Sequence, residues 1–155
     1  MLKPKELNSI PILVAADSLK PVYYAESEGY TTDPPASANL EGYGCKGDFN
    51  SDSVTDYALV VRNTRLNMDQ LVADVSGYDS LFTLDTFTSL KEQAEKAPYS
   101  RILNPPRCYK RSKSGRFIGI YEQEYEMPGD MIRFGWYSYL WNTENRGFKQ
   151  IITSD

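Results

Sequence analysis

The chain has 155 residues, a formal net charge of −4, two cysteines and no histidine. Its length suits one domain with a sizeable core, and its acidic balance argues against general nucleic-acid binding, which needs surplus Lys and Arg. Without histidine there is no Ser-His-Asp or Cys-His nucleophile, no imidazole acid–base chemistry and no imidazole zinc site, and two cysteines are too few for a four-thiolate centre.

Twelve tyrosines, two tryptophans and six phenylalanines tilt the composition toward strands. Near the N-terminus, the apolar run over residues 10–16 is short and interrupted by Pro11, which speaks against a secretory signal. A short helix is expected instead, with Ser9 near the N-cap and Pro11 in the first turn, running through Lys20. The leader of an exported protein would then have preceded Met1. No stretch reaches the length of a transmembrane helix.

Residues 21–40 predict a short strand and then a loop at Asp33-Pro34-Pro35. Residues 41–46 predict a strand, and residues 57–62 a central strand buried on both faces, because Leu59, Val60 and Val61 are apolar without alternation. A turn over residues 63–68, a strand over 70–76 and a short strand over 81–84 follow. The sequence DTFTSLKEQAEKAP carries the best helix signal: Thr86 or Thr88 as cap, strong helix formers through Lys96 and Pro98 as stop. After the turn KSG, residues 116–125 read as one hairpin arm. Residues 131–141 read as one strand with Ile132, Phe134, Trp136 and Leu140 facing the core and Met131, Arg133, Tyr137, Tyr139 and Trp141 on the opposite face. NTENRG then turns the chain into a closing strand, FKQIITS. The expected fold is α+β: a single domain over residues 1–155, mainly antiparallel sheet, with an N-terminal helix and one further helix near 86–96.

Charge is unevenly spread. Between Pro21 and Val60 stand Glu26, Glu28, Asp33, Glu41, Asp48, Asp52 and Asp56 against the single base Lys46. Between Ala97 and Tyr121 stand Arg101, Arg107, Lys110, Arg111, Lys113 and Arg116 with no acid. Such a stretch is either a solvated basic hairpin facing an acidic loop or a docking surface for an acidic partner. Cys45 and Cys108 are either buried thiols or a disulfide. Their acidic-loop and turn-rich contexts favour the disulfide, which would close about 64 residues, contribute roughly 4 kcal/mol and place the protein in an oxidising compartment.

The stretch GYGCKGDFNSDSVTDYALVV sets oxygen-bearing side chains at alternate positions ahead of an apolar strand. Asp48, Asn50, Asp52 and Asp56, with the carbonyl of Val54, are the mix of carboxylate, amide and backbone oxygens that a hard cation such as calcium takes. Leu59 stands where an EF-hand has its bidentate Glu, and a strand follows in place of a helix, so the EF-hand reading fails. From Gly47 through Val61 the stretch resembles the calcium loop of FG-GAP or VCBS-type repeats, known from integrin α-subunits and from small bacterial exported proteins. Cys45 before the loop and the terminal FKQIITSD resemble the same arrangement. The resemblance implies a structural calcium ion. Ser51 and Ser53 stand where that family has Gly, and a left-handed backbone at Ser costs about 1 kcal/mol more than at Gly. The other reading is a metal-free turn held by Asp and Asn side chains on backbone amides.

The function expected from these features is a non-enzymatic exported or periplasmic protein-binding domain, of the kind that inhibits or gives immunity to a toxin or cell-envelope hydrolase. Its partner-binding residues would be Arg107, Lys110, Arg111, Lys113 and Arg116 with the aromatic face Tyr137, Tyr139 and Trp141. The alternative is a carbohydrate-binding module or glycan hydrolase, with Trp136, Tyr139 and Trp141 as sugar platforms and a carboxylate pair among Glu122, Glu124 and Glu126. Glu122 and Glu124 would share a strand face about 7 Å apart.

Overall fold

In the computed structural model, residues 1–10, 17–25, 29–32 and 41–153 are described. They form α1 (Pro4–Leu7), β1 (Leu19–Pro21), β2 (Tyr23–Ala25), β3 (Gly29–Thr31), β4 (Glu41–Gly42), β5 (Gly44–Gly47), β6 (Asp56–Asn63), β7 (Met68–Asp74), β8 (Phe82–Phe87), α2 (Leu90–Lys96), β9 (Arg107–Tyr109), β10 (Arg116–Ile118), β11 (Glu124–Glu126), β12 (Met131–Phe134), β13 (Tyr137–Asn142) and β14 (Gly147–Ile152). Every strand pairing among them is antiparallel, so the fold is mainly antiparallel β with two short helices.

The larger sheet runs β1-β6-β7-β8, and β5 shares the outer edge of β6 with β1. β5 pairs with the first half of β6, Gly44 opposite Leu59 and Gly47 opposite Asp56, while β1 pairs with the second half, Pro21 opposite Val61. A second sheet runs β14-β13-β12-β9, a third β3-β2-β4, and β10 pairs with β11 as a separate hairpin.

Side-chain alternation along β6 sorts the layers, because neighbouring residues on a strand face opposite ways. Ala58 and Val60 join Leu71, Ala73, Ile132, Phe134, Tyr139 and Trp141 in one buried cluster between the two main sheets. Leu59 and Val61 join Val72 with Leu2, Leu7, Ile10, Tyr23 and Ala25 on the opposite face. The central strand is thus buried on both faces, as its unbroken apolar run requires. On the far side of the second sheet, Met127, Met131, Leu140 and Ile151 pack under Phe117 and Tyr125 of the β10–β11 hairpin.

Several expectations need correction. The first helix covers Pro4–Leu7 with Pro4 in its first turn, where a missing N–H costs nothing. Leu19 and Lys20 belong to β1; residues 11–16 and the Asp33-Pro34-Pro35 loop lie outside the described residues. The cap of α2 is Ser89, whose hydroxyl accepts the Glu92 N–H at 2.9 Å. Thr86 is still in β8, opposite Gln70.

Residues 116–125 are a strand, a turn and the start of a second strand: Tyr121 and Glu122 both take positive φ, 58° and 59°, and reverse the chain. Residues 131–141 are likewise a hairpin, reversed at Gly135, whose φ of +61° suits glycine. That reversal changes the parity of the inward face. Ile132 lies opposite Tyr139 and Phe134 opposite Tyr137, so the even-numbered core before the turn continues as an odd-numbered core after it.

Candidate functional site

The β5–β6 connection, residues 48–55, is an acidic loop anchored from within. Phe49 is fully buried and meets Phe148 edge-on at 5.9 Å. Around this anchor the polar side chains organise the backbone. Asp48 accepts the N–H groups of Asp52 and Ser53 at 3.0 and 2.9 Å. Asp52 accepts the Val54 N–H at 2.8 Å and the Ser76 hydroxyl. Asp56, fully buried at the start of β6, accepts the Phe49 and Ser76 N–H groups, both at 2.7 Å. The Ser76 hydroxyl holds the Asp52 carboxyl below the ordinary aspartate range. Burial pushes Asp56 up, against the pull of its two amide donors.

Ser51 and Ser53 both hold left-handed φ, 61° and 66°. The Asn50 amide donates to Asp52 and to the Ser76 carbonyl, both at 3.2 Å. Its oxygen Oδ1 is buried and accepts no hydrogen bond among the described residues. The donor types suit a hard cation. In this conformation the carboxylates are engaged with amides and a hydroxyl. Among the described residues no three or more acidic or cysteine side chains are gathered on one point.

Three residues complete the site without having been singled out by the sequence. Ser76 ties the loop to the end of β7, as just described. Asp130 Oδ2 accepts the Asp48 N–H at 3.0 Å, and Oδ1 accepts the Arg111 N–H at 2.8 Å. A side chain at Gly129 would run into the Phe49 backbone. The stretches SGYDS and MPGD signal turns, and nothing local says that their polar groups serve a loop so distant in sequence.

Cys45 of β5 and Cys108 of β9 form a disulfide with Cα atoms 5.7 Å apart. It joins the edge strand of the second sheet to the edge of the larger one. Beyond it the basic stretch is exposed at Arg107, Lys110, Arg111, Lys113 and Arg116. Lys110 pairs with Asp130 at 3.3 Å and Arg116 with Glu124 at 2.8 Å. Arg111 Nε donates to the Met127 carbonyl at 2.9 Å. The basic segment thus reaches the acidic loop through Asp130, which holds both.

The proposed aromatic surface is corrected. Tyr139 and Trp141 are 2% and 5% exposed and belong to the core between the sheets. Burial pushes the Tyr139 hydroxyl up to about 12. Tyr137 is half-buried against the same cluster. Trp136, expected in the core, is 49% exposed, with the Arg101 guanidinium 4.2 Å above its ring. Glu122 sits in the hairpin turn and so does not share a strand face with Glu124. Glu124 and Glu126 line a groove of about 320 Å³ together with Asn142, Glu144 and Lys149.

No family model matches the chain, and neither a curated protein nor a solved structure matches it.

Proposed function

We propose that this is a non-catalytic protein-binding domain of an oxidising compartment, periplasmic or extracellular, whose basic β9–β10 segment docks on an acidic partner such as a toxin or cell-envelope hydrolase. The observation that carries the reading is the exposed row Arg107, Lys110, Arg111, Lys113 and Arg116, placed beside a disulfide that fixes its strand to the body of the fold. Cations carried on and beside an anchored strand steer and orient an acidic surface. The FG-GAP-like loop is read as a structural calcium site that stiffens the β5–β6 connection beside Cys45; its part is to hold the segment, not to activate water.

The test is capture of a partner by the full oxidised chain from the envelope fraction of the source cell. A single stoichiometric protein, released by salt and lost on reversing the charge of Lys113 and Arg116 together, supports the reading. Capture of glycan, or of a protein indifferent to both salt and charge reversal, overturns it.

A further inference from the structure

β14 ends the second sheet, and no strand lies beyond it among the described residues. Its ladder with β13 fixes which backbone groups point outward. The Thr153 N–H donates to the Trp136 carbonyl at 2.8 Å, just past the pairing of Ile152 with Tyr137. Hydrogen-bonded and non-bonded pairs alternate along an antiparallel ladder. Gly147, Lys149 and Ile151 therefore bond to β13, and Phe148, Gln150 and Ile152 turn their N–H and C=O groups away from it. Among the described residues no other backbone group pairs with those three.

Native sheets close such an edge with a short strand, a proline, a bulge or an outward charge. The other six-residue edge, β8, breaks register with β7 between Leu71 and Val72 and carries Asp85 in mid-strand. β14 has no proline and keeps unbroken register with β13. Its one charged residue, Lys149, leans over the β10–β11 hairpin with its amine 5.4 Å from the Tyr125 ring, so the charge is held on one face of the sheet. Ile152, at the end of the strand, is 56% exposed.

We infer that β14 is an interface with a second copy of this chain, the two strands pairing antiparallel about a twofold axis at Gln150. This register lets all three outward-turned residues pair. Gln150 faces Gln150 of the partner subunit, and Phe148 faces Ile152 of the partner subunit, an aromatic–β-branched pair that stabilises cross-strand contacts and covers the exposed isoleucine. Lys149 falls opposite Ile151 of the partner subunit, so no like charges are opposed. The contact is isologous and closes on itself. β9 is the opposite edge of the sheet, so the basic row stays free, and the inference does not depend on the protein-binding reading.

The test is sedimentation equilibrium and amide hydrogen exchange of the full oxidised protein over a concentration series. A dimer is expected in which the Phe148, Gln150 and Ile152 amides are protected and lose that protection by about tenfold or more on dilution to monomer, while the Lys149 and Ile151 amides, bonded to β13, stay slow throughout. Gln150→Pro removes the central outward N–H and leaves the β13 ladder intact; it should weaken the dimer about tenfold or more. Ile152→Lys, which keeps every backbone group, should weaken it as well and serves where the proline variant does not fold. A chain monomeric at millimolar concentration, a dimer whose three amides exchange as freely as in the monomer, or a dimer unchanged by Ile152→Lys overturns the inference.

Discussion

Asp48 and Asp130 hold each other by two reciprocal hydrogen bonds, one of them to the Asp130 side chain. The Asp130 N–H donates to the Asp48 carbonyl at 2.8 Å, and the Asp48 N–H donates to the Asp130 carboxylate at 3.0 Å. Because the same carboxylate also takes the Arg111 N–H at 2.8 Å, Asp130→Ala strands two backbone donors at once. We expect a loss of about 2–3 kcal/mol by urea unfolding. Lys110→Ala, which removes one ion pair from an exposed lysine and leaves both amide bonds to Asp130 in place, should cost about 1 kcal/mol or less. Equal effects from the two changes would mean that the amide bonds do not hold the loop.

The Cys45–Cys108 bridge spans a sequence separation of 63 residues and joins edge strands of two sheets. Denatured, unreduced protein should therefore show no titratable thiol, and reduction should lower stability by roughly 4 kcal/mol on chain-entropy grounds. Two free thiols under those conditions would remove both the bridge and its support for an oxidising compartment.

Trp136 and Trp141 should separate in mutagenesis. Trp141 is buried among Tyr78, Phe82 and Phe148 with ring centroids 5.3–5.6 Å away, so Trp141→Ala should cost about 3–5 kcal/mol. Trp136→Ala should change stability by about 1 kcal/mol or less, the weight of its stacked guanidinium. The reverse ranking would restore the aromatic surface that the sequence suggests.

This pair also shows what the sequence makes legible. The unbroken apolar run of β6 and the turn expected over 63–68 are local signals; the structure keeps the first and places the turn at 64–67, with Asn63 and Met68 in the flanking strands. Strand phase across Gly135 is not local. Reading 131–141 as one strand keeps one parity throughout, whereas a reversal places Ile132 opposite Tyr139 and turns the odd residues inward. Glycine inside an alternating pattern was the available sign. At the loop, the oxygen pattern is legible residue by residue. Ser76, Gly129 and Asp130 are not, because they act on the loop from far along the chain.

Asp69 should make stability pH-dependent. It is buried beneath the start of α2, accepting the Leu90 N–H at 2.7 Å and Arg62 at 3.3 Å. Burial pushes its carboxyl up, with Glu92 adding to the rise, and the Leu90 amide and Arg62 pull it down without cancelling it. A carboxyl raised in the folded state contributes stability that is full below its unfolded value, near 3.8, and that is lost as pH rises through the folded value. As pH falls from 7 toward 4, wild type should therefore gain stability relative to Asp69→Asn, whose amide oxygen still accepts the Leu90 N–H. A difference that stays constant, or moves the other way, would show that burial does not dominate.

The calcium proposal makes the sharpest demand on the loop. Asp48, Asp52 and Asp56 bring three carboxylates into nine residues, and Asn50 Oδ1 is buried with no hydrogen-bond donor among the described residues. A cation would screen the first and satisfy the second. Calcium at a hundredfold excess over its dissociation constant should then raise stability by roughly 2.7 kcal/mol. Magnesium should do much less, because it demands near-octahedral geometry and dehydrates reluctantly. Asp52→Ala should abolish the calcium response. Ser53 holds a left-handed φ of 66°, so Ser53→Gly, by relieving that backbone strain, should add about 1 kcal/mol of stability. If calorimetry shows no heat with calcium and chelator leaves the unfolding midpoint where it was, the amide and hydroxyl bonds to Asp48, Asp52 and Asp56 are the whole of the loop's stabilisation.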